Sequence, residues 1–299
     1  MGALSRTKAP TAPRVRMSPG RWMRELGWRH LVGVLAVVWA LFPVLFIVSA
    51  AFNPLGTVMS TGLVPQHFSL DNFHKLFGNP AIPFTRWVLN TLMVAVAVVT
   101  VQLFFSTLGA YAFSRLRFRG RRGGLLALLL IQMFPQFLAG VALYGMFTDI
   151  GDVAHWLGLN TIAGYILVMC GGSLGQVWLI KGFFDTIPRS LDEAATLDGA
   201  SHAQTFFRIF LPLARPMLAV CGLIVFVGVI AEFLLASIFL RSVGTKTLAV
   251  GLFGLIDQQS NNLGVFAAGS LLTLLPVVLL FLYLQRFIVS GITAGAAKG

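Results

Sequence analysis

Six stretches of 22 or more residues carry at most one charged side chain each, and they leave little freedom in what the chain can fold into. A helix needs about 20 mostly apolar residues to cross the hydrocarbon core of a bilayer. Residues 31–52, 87–113, 123–148, 153–180 and 258–285 contain no Asp, Glu, Lys or Arg, and 216–240 contains Glu232 alone. Backbone groups in lipid must pair within their own segment, and these runs lack the alternation of barrel strands. The expected class is therefore an all-α integral membrane protein with six transmembrane helices, each shorter at its ends than its uncharged window. Composition agrees: 11% of residues are charged, against about a quarter in a soluble domain, so lipid must be the main solvent.

The basic residues set the expected orientation. Of 22 Lys and Arg, only Lys75, Arg86, Arg241 and Lys246 fall on one side of the six spans. The rest crowd the other side, including the N-terminal tail and the cluster Arg115, Arg117, Arg119, Arg121 and Arg122. Lys and Arg accumulate in cytoplasmic loops, which places both termini in the cytoplasm. The net charge of +12 is thus a topology signal, and no nucleic-acid partner is expected. The expected organisation is a basic, disordered cytoplasmic tail over 1–29, a six-helix membrane domain over 30–289, and a short cytoplasmic tail over 290–299. The first apolar run, 22 residues long, exceeds the roughly 7–15 residues of a signal-peptide core. Arg6 stands where a myristoylation signal needs Ser or Thr.

Several residues inside the spans stand out. Pro43, Pro135 and Pro276 each remove a backbone donor and tend to kink a helix. Gly164, Gly171, Gly172 and Gly175 allow close helix–helix approach. Glu232 is costly in lipid and must face either a polar pathway or a bonding partner on a neighbouring helix. Cys170 and Cys221 lie in apolar runs without metal-ligand spacing and read as packing residues, so no metal site is expected. Asp257, Gln258, Gln259, Ser260, Asn261 and Asn262 form a dense hydrogen-bonding cluster, which suits sugar hydroxyls or simply a polar turn between spans.

The cytoplasmic segment 181–215 carries the most local information. Ser190-Leu191-Asp192-Glu193 has the form of a capping box opening a helix, which Asp198-Gly199 breaks. Ser201-His202-Ala203-Gln204 is a second capping box, and Pro212 and Pro216 are expected to end that short helix before the fifth span. A compact helix–turn–helix with several acids is suited to docking on a protein, and the acids argue against DNA. No G-x-x-x-x-G-K-[ST] phosphate loop, H-E-x-x-H motif or hydrolase Ser/His pairing occurs, so no catalytic residue is assigned and no enzyme activity of the chain's own is expected.

Glu193-Ala194-Ala195, three residues, Gly199, nine residues and Ile209-Phe210-Leu211-Pro212 resemble the EAA loop of ABC importer permeases at every position. Gln132-Met133-Phe134-Pro135, Gly158-Leu159-Asn160-Thr161, Thr247-Leu248-Ala249-Val250-Gly251 and Gly291-Ile292-Thr293-Ala294-Gly295 extend the similarity to the smaller permease subunit of maltose/maltodextrin-type importers. The resemblance implies the six-helix type I permease fold in a bacterial cytoplasmic membrane. It implies a homologous sister permease, a cytoplasmic ATPase dimer that binds the ATP and Mg, an extracytoplasmic sugar-binding protein, and no cofactor in this chain. Glu193, Ala194, Ala195, Gly199, Ile209, Leu211 and Pro212 would couple to the ATPase. Thr293, Gly295, Lys298 and Gly299 would reach the ATPase interface. The 257–262 cluster would face the binding protein and its sugar.

Overall fold

The computed structural model describes residues 20, 23–54, 62, 67–134, 136–256 and 263–296. Every regular element among them is helical. The chain divides into two compact units, with residues up to Phe46 in the first and Ile47 onward in the second. The first unit holds a π-helical turn over Met23–Gly27 and most of α1, Trp28–Phe52. Helix therefore begins inside the segment expected to be a disordered tail, and it runs through Pro43 without a break.

In the second unit, a short helix α2 (Asp71–Gly78) precedes the long α3 (Phe84–Arg115). Then come α4 (Arg121–Met133), α5 (Gly140–Val153), α6 (Ile162–Cys170) and α7 (Val177–Thr186). The loop helices α8 (Ser190–Leu197) and α9 (His202–Leu213) lead to α10 (Arg215–Ala231) and α11 (Leu234–Phe239). The chain ends in α12 (Leu248–Phe253) and α13 (Leu263–Ala296).

Three helical segments are long and apolar enough to cross a membrane unbroken: Met23–Phe52, Phe84–Arg115 and Leu263–Phe287. A fourth forms if His202–Leu213 and Arg215–Ala231, bent by 75° at Ala214, count as one span. The windows 123–148 and 153–180, read as single helices, are each two helices in the structure. Between α4 and α5 lies a 3-10 turn, Gln136–Ala139. Between α6 and α7 the chain turns over 171–176, where Gly171, Gly172 and Gly175 favour leaving the helix.

The break between α6 and α7 takes backbone groups out of the helical hydrogen-bond ladder. Two polar side chains on α3 meet them. Gln102 donates to the Met169 carbonyl at 2.9 Å, and the Ser106 hydroxyl donates to Ser173 O at 2.7 Å while accepting from Gln176 N at 3.2 Å. Gly164 has the close approach expected of it, since a Cβ there would lie 2.3 Å from the Leu157 carbonyl oxygen.

Three buried clusters are strung along α3. Phe84 and Trp87 at its start pack with Leu76, Leu248, Leu252 and Val265. Val94 and Val98 in its middle pack with Tyr165, Val229, Leu235 and Phe239. Ala110 and Tyr111 near its end pack with Phe184, Phe206, Phe210 and Cys221. At 32 residues α3 is about 48 Å long, more than the roughly 30 Å hydrocarbon core of a bilayer.

Polar side chains pin the start of α3 to the loop before α12. Trp87 Nε1 donates to Val243 O at 2.7 Å, and Asn90 Nδ2 donates to the Gly244 and Lys246 carbonyls at 2.9 and 3.0 Å. Trp87 is 3% exposed, and a Cβ on Gly251 would lie 2.3 Å from its ring. Because the indole is held by its hydrogen bond, Gly251→Ala is expected to destabilise the chain by about 1–3 kcal/mol through overpacking. Thermal denaturation in detergent, read beside Gly228→Ala where a Cβ meets nothing within 4 Å, checks this.

Candidate functional site

The segment 181–215 folds as a helical hairpin between α7 and α10. Glu193 was expected to close a capping box with Ser190, but the box does not form. Pro188 and Arg189 carbonyls already accept from Leu191 N, Asp192 N and Glu193 N at 3.3, 3.0 and 3.1 Å. The cap is Arg189 in helical conformation, so Ser190 is the first helical residue and has no orphan N–H to accept. Asp192 and Glu193 still lie in the first turn, where the helix dipole favours acids.

The end of α8 follows from Gly199. Gly199 adopts φ +73°, its N–H reaches Thr196 O at 3.0 Å, and Ala200 N reaches Ala195 O at 2.9 Å. This pair of bonds is a Schellman motif, which needs a residue in the left-handed region and so favours glycine. The second expected capping box is present: Gln204 N donates to Ser201 Oγ at 3.3 Å, and Ser201 N donates to Gln204 Oε1 at 2.8 Å.

Pro212 does not end α9. Helix continues through it to Leu213, preceded by a π-helical turn over Phe206–Phe210. Proline cannot donate to the carbonyl four residues back, and the wider π turn places that irregularity next to it. The sharp bend comes at Ala214, and Pro216 lies in the first turn of α10, where its missing donor costs nothing.

The hairpin is anchored by a residue that the sequence reading counted only as a topological charge. Arg115, the last residue of α3, donates from Nη2 to Phe184 O and Ile187 O, both at 2.6 Å. Its Nη1 lies 3.2 Å from Asp192 Oδ2, and its guanidinium stacks 4.8 Å from the Phe210 ring centroid. One side chain thus joins α3, the end of α7, the start of α8 and the middle of α9. Its side chain is 7% exposed, whereas that of Asp192 is 28% exposed. Tyr111, one turn earlier, packs on Phe206 and Phe210 at 5.1 and 5.2 Å. Beside this anchor Asp185 accepts from Lys181 Nζ at 2.5 Å and Ser114 Oγ at 2.6 Å. Burial pushes the Asp185 carboxyl up, but these two hydrogen bonds and the Lys181 and Arg115 charges outweigh it and hold the group below the usual carboxylate range.

The motif residues separate into an inner and an outer set. Ala195 is buried, and Ile209, Leu211 and Pro212 are half-buried, with Ile209 and Leu211 packed on the cluster around Phe210. Glu193, Ala194 and Gly199 are exposed. Two apolar side chains of the hairpin not singled out in the sequence are also exposed: Leu197 at 89% and Phe207 at 53%. A solvent-facing leucine at the tip of a rigid hairpin fits a docking surface, and its only sequence signal was its place beside the helix-breaking Asp198-Gly199.

The other candidate residues lie apart from this hairpin. Glu232 falls at the end of α10 with extended backbone, not inside a helix. Its carboxylate accepts from the Tyr165 hydroxyl at 2.7 Å and from Leu235 N and Ala236 N at 2.8 and 2.9 Å. It therefore bonds α6 to the first turn of α11. Thr293 and Gly295 lie within α13, whereas Lys298 and Gly299 fall outside the described residues. So do Pro135 and the cluster Asp257, Gln258, Gln259, Ser260, Asn261 and Asn262. Asn160, from the Gly158–Thr161 stretch, adopts φ +63°. Its Oδ1 accepts from Arg241 N, Ser242 N and Thr245 Oγ1 at 3.1, 2.9 and 2.7 Å.

Residues 102–293 match the family described as binding-protein-dependent transport system inner membrane component. The chain is 39% identical over 287 residues to the galactooligosaccharides transport system permease protein GanQ of Bacillus subtilis (strain 168), covering 95% of this chain and 99% of that one. It is 38% identical over 281 residues to the maltose/maltodextrin transport system permease protein MalG of Escherichia coli (strain K12), covering 90% and 95%. The fold is similar to a chain in the crystal structure of a bacterial ABC transporter involved in the import of the acidic polysaccharide alginate. That match has a TM-score of 0.74 at 24% identity and covers 91% of this chain and 98% of the other.

Proposed function

Since the chain belongs to the family of binding-protein-dependent transport system inner membrane components, we propose that it is the membrane permease subunit of an ATP-driven importer of maltose/maltodextrin-type sugars. The observation that carries this reading is the 181–215 hairpin, which exposes Glu193, Ala194 and Gly199 of the EAA motif while its Ala195, Ile209, Leu211 and Pro212 pack inward. The subunit transports and does not hydrolyse ATP.

Six spans with both termini in the cytoplasm complete the reading. The pairs α4–α5 and α6–α7 form spans three and four as broken helices, α10–α11 forms the fifth and α13 the sixth. The placement of Gln102 and Ser106 supports this, because non-helical backbone is tolerated at membrane depth where protein satisfies it. A sister permease supplies the other half of the pathway, an ATPase dimer holding ATP and Mg receives α8, and an extracytoplasmic protein delivers the sugar. Closure of the ATPases moves α8; Arg115 passes that motion to α3 and α7, and α3 carries it to the Trp87 and Asn90 contacts at its other end. Rigid-body rocking of this kind is a common route to alternating access.

Purification of the tagged chain in mild detergent is expected to bring down a sister permease and an ATPase. Proteoliposomes of that assembly are expected to take up labelled maltose and maltodextrins only with internal ATP and an external binding protein. Transport of galacto-oligosaccharides with maltose refused would move the substrate to another oligosaccharide. Uptake by the chain alone, without ATP, would replace the importer reading with a secondary transporter.

A further inference from the structure

The turn between α3 and α4 places five arginines in eight residues, 115–122, and the structure divides them. Arg115 is consumed by the hairpin. Arg121 turns back, its Nε donating to Phe113 O at 2.7 Å and its Nη2 to Ser114 O at 3.1 Å, and so satisfies the last carbonyls of α3. Arg117, Arg119 and Arg122 are exposed, and among the described residues none of them forms a hydrogen bond or ion pair. No acid lies within the turn, and Asp192 is already held by Arg115. Arg117 shares a cleft with Glu193 without pairing to it.

Position supplies the second observation. The turn follows a helix longer than the hydrocarbon core and precedes α4, whose Leu126, Leu130 and Ile131 are 60–69% exposed. On the six-span reading proposed above, this turn is the cytoplasmic connection between spans two and three and lies beside the headgroups. Phe118, 45% exposed and 5.4 Å from the Phe113 ring, adds an apolar side chain between two of the free arginines. Gly120, at φ +85°, turns the chain between the end of α3 and the start of α4, so the three exposed arginines fall within six residues of one short connection.

We propose that this turn binds the headgroup of an anionic phospholipid, with Arg117, Arg119 and Arg122 holding the phosphate and Phe118 entering the acyl boundary. Guanidinium groups suit phosphate because their planar fork donates two parallel hydrogen bonds. The contact holds the end of α3 at a fixed depth, and the same helix end carries Arg115 and the hairpin.

The full chain is purified with its partners, and retention of phosphatidylglycerol against phosphatidylcholine is read by native mass spectrometry. Neutralising a surface arginine is expected to weaken phosphatidylglycerol binding about fivefold, and Arg117→Gln/Arg119→Gln/Arg122→Gln about a hundredfold. The matching triple lysine variant is expected to keep most of the binding, and the single Arg119→Gln variant keeps the test readable if the triple variant folds poorly. Undiminished phosphatidylglycerol retention in the glutamine variants overturns the proposal. So does loss of the ATPase with lipid retained, which would make the turn a protein-docking surface. Equal competition by soluble glycerol phosphate would make it a free-phosphate site and also overturns it.

Discussion

Arg115→Ala is expected to cut sugar uptake about a hundredfold while leaving the membrane helices folded. The guanidinium satisfies two backbone carbonyls at 2.6 Å and one carboxylate at 3.2 Å. Hydrogen bonds to a charged group contribute about 1.5–3 kcal/mol each, and removing one partner of a buried pair costs about 3–5 kcal/mol. Asp192 is partly exposed and recovers water when its partner leaves, so the lower end, about 3 kcal/mol, is appropriate. The loss falls on how α8 is held relative to α3, because the hydrophobic cluster of Phe184, Phe206 and Phe210 remains. A hairpin in its docking geometry only about one time in a hundred lowers the apparent affinity for the ATPase by the same factor. Arg115→Lys is expected to fall between, since one ammonium cannot reach both carbonyls and the carboxylate in the geometry of a planar fork. ATPase co-purification, uptake and protease sensitivity of the hairpin are measured together. Full uptake in Arg115→Ala would show that the hairpin keeps its geometry without this anchor.

The apolar windows and the EAA spacing were legible because each depends on residues close in sequence. Hydrophobic runs forecast where helices lie, and Ser201/Gln204 and Gly199 forecast a cap and a break that local chemistry enforces by itself. The first capping box failed for an equally local reason: Pro188 and Arg189 start the helix before Ser190 can cap it. The breaks that divide windows 123–148 and 153–180 into α4–α5 and α6–α7 were not legible. The glycine-rich turn between α6 and α7 bonds partly to itself and partly to Gln102 and Ser106, some 70 residues away in the chain, and no local pattern announces that second set of partners. Arg115 was hidden in the same way. Its partners are mainly backbone carbonyls, which no side-chain pattern encodes, so its charge was visible and its contacts were not. Glu232 could be recognised as needing a partner, but the Tyr165 hydroxyl and the first N–H groups of α11 emerge only when the helix breaks beside it.

Replacement of Gly199 is expected to separate ATP hydrolysis from transport in a graded way. A Cβ at this position meets nothing within 4 Å, so steric collision is not the issue. Backbone conformation is: φ +73° costs an L-residue about 1–2 kcal/mol, and more when it is β-branched. Asparagine tolerates the left-handed region and is expected to retain most uptake. Alanine is expected to lower uptake several-fold, and valine tenfold or more, because the chain relieves the strain by giving up the Gly199–Thr196 and Ala200–Ala195 bonds. Without them the end of α8 frays and the exposed Leu197 loses its fixed position relative to Glu193 and Ala194. With the proposed ATPase partner, hydrolysis is expected to persist, since its catalytic machinery is not in this chain, while its closure is expected to move the membrane helices less. The informative readout is therefore sugar transported per ATP hydrolysed, compared across asparagine, alanine and valine. A ratio that falls in that order ties coupling to the backbone geometry of one residue. A valine variant with undiminished uptake would remove the hairpin from the coupling path and leave it a cap on the helix bundle.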